Sequence, residues 1–205
     1  MRHSIQQLMD TAHEYFPRGI LPRDPGYEQT PEWLRQKAAR VAVVGQYQTW
    51  RALLRRLEAR FSGNQFHGIE VSNQSLFLQA ATSGTPWDRC FTGQLALPCR
   101  TPNESAHYLE FLVSFVVPYY ATRSERHVRA ASADAEPRVE VETSFDLSPD
   151  EVPFAEAIAE EVERTFPGYE RMPPDIGLTV VPDVQAGSKW FGEATLFTCL
   201  FSDTW

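Results

Sequence analysis

Leu109–Tyr120, LEFLVSFVVPYY, is an apolar and aromatic run interrupted only by Glu110, Ser114 and Pro118. It is too short to cross a bilayer and shows no polar stripe at three- and four-residue spacing, so it reads as the central strand of a sheet covered on both faces. Pro118 marks its end or a bulge, because proline has no amide hydrogen to give a strand ladder.

Around that strand the chain changes period twice. Ser4 is placed to cap a helix whose apolar face is Ile5, Leu8, Met9, Ala12, Tyr15 and Phe16, ending at Pro17. Thr30-Pro31-Glu32 starts a second helix, with a hydroxyl for the free amides and a proline whose missing N–H costs nothing in the first turn. Trp33, Leu34, Ala38, Val41 and Val44 form its expected buried stripe, and Gly45 is a kink or break point. Trp50, Leu53, Leu54, Leu57 and Phe61 then resume helical spacing up to Ser62-Gly63-Asn64, with Arg51, Arg55, Arg56 and Arg60 set off as a basic ridge.

Beyond Gly63 the pattern becomes strand-like. Ile69–Val71 and Ser75–Leu78 predict a hairpin, and Cys90–Leu97 a strand halted by Pro98. Arg123–Glu136 is polar and small enough to read as a loop, and Val139, Val141 and Thr143 alternate with Arg138, Glu140 and Glu142 as in a strand with one wet, acidic face. Ser148-Pro149-Asp150-Glu151 fits a capping box, but Pro153 forces a choice between a separate turn at Ser148 and a helix starting near Pro153. The helix near 153–166 buries Val152, Ala155, Ile158, Val162 and Phe166 and carries Glu156, Glu160, Glu161 and Glu163. Two late apolar runs, Ile176–Val181 and Ala194–Phe201, predict closing strands. Helices first, then strands, is the order of an α+β fold: one domain over 1–205, helical over 1–62, with a largely antiparallel sheet of about six strands and one acidic helix over 63–205.

A hydrophobic content of 42% supports a sizeable core, and no leader-like apolar segment follows Met1, which predicts a cytoplasmic protein. Cys90, Cys99 and Cys199 lack the spacing of a zinc or redox pair and are expected to pack as small apolar groups. A net charge of −8 argues against a general phosphate-backbone binder. It is unevenly spread: Glu32–Arg60 holds seven Lys and Arg against two acids, while Asp134–Glu163 holds eleven acids against Arg138 alone. Segregated charge of this kind steers association with an oppositely charged partner.

The signatures of nucleotide, hydrolase and zinc-protease chemistry are missing: no G-x-S-x-G, G-x-x-x-x-G-K-[ST], G-x-G-x-x-G or H-E-x-x-H occurs. No catalytic residue, metal ligand or cofactor is therefore assigned. Glu156, Glu160 and Glu163 fall near one helix face away from the apolar stripe, so they are expected to be hydrated contact groups, with Trp190 as an aromatic anchor.

A motif-poor, acidic α+β chain closing in ATLFTCLFSDTW resembles small immunity-type proteins of bacterial toxin–immunity systems. That resemblance implies a non-enzymatic bacterial protein that binds a protein partner, such as a basic toxin, and neither nucleic acid nor a membrane. Two other readings stand beside it. One is an enzyme with a loop-built pocket using Cys90, His67, His107 or Asp88; the other is a homo-oligomer joined through an apolar patch on the first two helices.

Overall fold

A computed structural model of the chain describes residues 3–61, 66–67, 89–130 and 138–202. The predicted hairpin over 69–78 falls outside them, as do Trp87, Asp88 and Trp205. Among the described residues no helix is long and apolar enough to cross a membrane.

The α+β expectation holds. The long apolar run is two strands rather than one. β3 (Glu104–Ser114) and β4 (Tyr119–Ala130) fold back on each other through 115–118. Ser114 makes the reversal: its hydroxyl accepts from the amides of Val116 and Val117 at 3.2 and 3.3 Å and donates to the Leu200 carbonyl at 2.7 Å. Pro118 sits where the ladder has already let go. The sheet runs β1 (Phe66–His67), β2 (Cys90–Ala96), β3, β4, β5 (Arg138–Ser144), all antiparallel, with β6 (Glu170–Arg171) joined in parallel to the start of β4. Arg123–Ala130, read above as loop, is strand. Arg123 and Ser124 are polar because they belong to buried polar contacts, and from Glu125 to Arg129 the polarity reflects a part of the sheet that the core does not cover; pairing on both sides outweighs low strand propensity.

Alternation along β3 and β4 divides the core in two. Leu109, Phe111, Val113 and Tyr120 face α3 (Tyr47–Arg60) and α4 (Val152–Thr165), where Trp50 stacks on Phe91 at 5.0 Å and meets Phe111 at 5.6 Å. Leu112, Tyr119 and Ala121 face α1 (Ile5–Tyr15) and residues 172–201. That second layer is stapled together by polar contacts. His13 Nε2 lies 2.7 Å from Asp183 Oδ1, and the Arg18 guanidinium reaches His13 Nδ1 at 2.7 Å.

α1 begins as expected, with a full capping box between Ser4 and Gln7. α2 (Pro31–Val43) also starts at the expected cap, but its phase is not the one its apolar residues suggest. Trp33, Gln36, Arg40 and Val43 are buried; Leu34 is 51% exposed and Val41 47%. Gln36 turns inward and donates to the free carbonyl of Tyr15 at the end of α1, while Arg35, still exposed, reaches the neighbouring Glu14 carbonyl at 2.7 Å. The predicted strands Ile176–Val181 and Ala194–Phe201 are also corrected. α5 (Pro174–Gly177) and α6 (Leu196–Leu200) stand there, packed in one core, and the strand pairing between the two segments is a single isolated Val180–Thr195 bridge. Thr195 and Thr198 form a reciprocal cap that starts α6, and every residue of that helix is buried, so its apolar run carried no period to read.

Candidate functional site

Ser148-Pro149-Asp150-Glu151 forms a turn ahead of α4, and only half of the expected capping box is present. The Glu151 carboxylate reaches back to the Ser148 amide at 2.6 Å, whereas the Ser148 hydroxyl is taken by Arg100. The other Glu151 oxygen points under the helix into the sheet. There it accepts from Ser124 Oγ at 2.6 Å and lies 2.7 Å from His107 Nε2. His107 Nδ1 lies 3.1 Å from the Pro98 carbonyl, at the β2–β3 connection.

Serine, histidine and carboxylate thus meet in one buried cluster, yet their order is not that of a nucleophilic triad. A triad needs the acid on one ring nitrogen and the hydroxyl on the other, with the hydroxyl donating to the imidazole. Here serine and glutamate crowd the same nitrogen, the serine gives its proton to the carboxylate, and the second nitrogen is held by a backbone carbonyl. All three side chains are buried. Burial pushes the Glu151 carboxyl upward, but hydrogen bonds from Ser124, Ser148 and His107 outweigh it and bring it down to about 2. An ionised carboxylate between a hydroxyl, an amide and an imidazole is a clamp, tying β3, β4 and the β2–β3 connection to the start of α4.

The opposite sheet face carries a second buried polar pair. Arg123 donates to Glu110 across β3 and β4 and lies over the Phe197 ring at 5.5 Å. Burial pushes the Glu110 carboxyl above its ordinary range, a push that Arg123 opposes without cancelling. Of the cysteines, Cys99 is exposed, Cys90 is buried at the start of β2, and Cys199 is fully buried, with its thiol pushed up to about 12 by desolvation. A thiol so raised is a poor nucleophile. The side chain of His67 lies outside the described residues. Among the described residues, no group of three His, Cys, Asp or Glu side chains is arranged to hold a metal ion.

The predicted contact residues are exposed, and they are not all on one side. Glu156, Glu160 and Glu163 line the outward surface of α4. Arg171 reaches Glu156 at 2.8 Å, Arg60 reaches Glu160 at 2.7 Å, and the Tyr120 hydroxyl donates to Glu163 at 2.7 Å. Arg56 and Arg60 of the basic ridge also meet buried Glu161, at 3.1 and 3.6 Å, so the basic and acidic segments partly pair within the fold. Trp190 is exposed in a loop of the other layer, with the Arg23 guanidinium 5.3 Å above its ring.

β5 departs from expectation. Its acidic face is wet as read, but so is its apolar face: Val139 is 52% exposed and Val141 56%. Register puts Glu140 and Glu142 beside Val128 and Arg126, on the α4 side of the sheet, and the valines beside Arg129 and His127 on the other. Sequence reading also missed the His107–Ser124–Glu151 cluster. The only local signal was the Ser148–Glu151 spacing, since the partners lie on separate strands. Neither the family models, nor the curated proteins, nor the solved structures contain a match to this chain.

Proposed function

We propose that the chain is a non-enzymatic protein-binding protein that engages a basic partner through the outward carboxylates of α4, in the manner of an immunity protein covering its toxin. One observation supports this reading above the rest. Each of Glu156, Glu160 and Glu163 stays exposed while a donor from a neighbouring element fixes one of its oxygens. Long acidic side chains held this way lose less rotamer freedom on binding, so more of their attraction survives as affinity. The buried clamp at Glu151 anchors the same helix from below.

The test is a charge reversal, Glu156→Lys with Glu160→Lys and Glu163→Lys, assayed against the captured partner by calorimetry at low and raised salt. Affinity should fall at least about tenfold at low salt and its salt dependence should flatten. Unchanged affinity at both salts would overturn the reading. Trp190 lies across the sheet, so Trp190→Ala distinguishes a partner confined to α4 from one that wraps both layers.

A further inference from the structure

A seven-residue strand that buries nothing needs an explanation. The inner edge of β5 is fully registered with β4 from Arg138 to Ser144, yet Arg138 to Glu142 are exposed on both faces. Among the described residues no strand pairs with its outer edge. Among the described residues that edge leaves backbone donors and acceptors unpaired, which natural sheets usually shield by shortening, charged side chains, proline or bulges. β5 is not short, holds no proline and follows β4 without a register shift, so its shield is charge alone: Arg138, Glu140 and Glu142. Its valines lie on one face beside His127 and Arg129, where the His127 ring meets Tyr108 edge-on at 5.6 Å. Its other face carries Glu140 and Glu142, the latter 3.3 Å from Arg126.

We propose that the outer edge of β5 takes up an extended segment of a basic partner protein as an added strand, its backbone pairing with β5, its apolar side chains meeting Val139 and Val141, and its Lys or Arg meeting Glu140 and Glu142. This deepens the protein-binding reading and rests on it. The charges select the occupant. A second copy that seats both valines of each strand against valines has one antiparallel register, and it brings Glu140 face to face with its own counterpart, where like charges are destabilising. A strand with cations at alternate positions has no such conflict and joins main-chain pairing to electrostatic complementarity.

The experiment uses the full chain, isotope-labelled, with two capped synthetic peptides as long as β5: one alternates valine with lysine, the other valine with glutamate. Amide hydrogen exchange is followed along 138–144. The lysine peptide should slow exchange of alternate β5 amides about tenfold or more, an effect weakened by salt and lost in Glu140→Lys with Glu142→Lys. Thermal unfolding confirms that this variant folds. No protection of β5, equal protection by the glutamate peptide, or protection that appears without peptide as the chain doubles in mass would each overturn the proposal. The cellular partner separates the two ideas. If it binds the β5 double variant as tightly as the parent chain, docking at β5 fails while the protein-binding reading stands. If the lysine peptide protects β5 but the α4 charge reversal leaves partner affinity unchanged, the α4 reading fails and the β5 docking stands.

Discussion

Glu151→Ala should lower the stability of the fold by about 3 to 5 kcal/mol, because it strands the groups that the carboxylate now satisfies: Ser124, the Ser148 amide and a buried imidazole. The pH dependence carries its own signature. The folded Glu151 carboxyl titrates at about 2, against an ordinary value of 4.5. A group lowered in this way contributes its stabilisation fully above the unfolded value, and the contribution is lost as pH falls through the folded one. The linkage amounts to about 3 kcal/mol, withdrawn between about pH 4.5 and pH 2. Urea unfolding followed by circular dichroism across that range should therefore show a shallower acid limb in Glu151→Gln than in the parent. Identical limbs would mean that Glu151 is not the group that couples acid to unfolding. Ser124→Ala should cost far less, about 1 kcal/mol, since the carboxylate keeps its other donors.

Gly93→Val should destabilise the fold by about 3 kcal/mol or more, and even Gly93→Ala should be clearly destabilising. Gly93 stands directly opposite Phe111 on β3, and the Phe111 ring lies across the space where a β-carbon would go. Phe111 is fully buried and packs against Trp50, so the ring has nowhere to retreat. A glycine inside a strand ordinarily weakens it; here the aromatic cover replaces the side chain that the glycine lacks. The decisive measurement is a double-mutant cycle. Gly93→Ala in a Phe111→Leu background should cost at least about 1 kcal/mol less than in the parent. Additive losses would show that the ring is not what excludes the side chain.

Local signals in the sequence were read correctly where they acted locally. The Ser4 and Thr30 caps, the break at Gly45 and the acidic helix behind Pro153 all involve residues within one turn of each other. Errors arose where a distant segment set the outcome. Leu34 and Val41 looked like the core face of α2, but the helix is phased to bury Gln36, which donates to the Tyr15 carbonyl ending α1, while Arg35 caps the Glu14 carbonyl from the surface. The 194–201 run holds a helix, started by the Thr195–Thr198 cap, whose residues 196–200 are all buried, and complete burial erases the periodicity that tells helix from strand. The same reason hid the polar cluster. His107, Ser124 and Glu151 lie on β3, on β4 and ahead of α4, and only the register of the sheet makes them neighbours.

The layer over Leu112, Tyr119 and Ala121 joins α1 to residues 172–201, the earliest and latest described parts of the chain. During synthesis the β3–β4 hairpin emerges with that face still bare, since α1 by itself supplies little beyond Leu8, Ala12 and Phe16. A nascent chain that pairs β3 with β4 at that stage carries an apolar, half-roofed sheet until residues 172–201 have been made. Such an intermediate is a natural client for a chaperone.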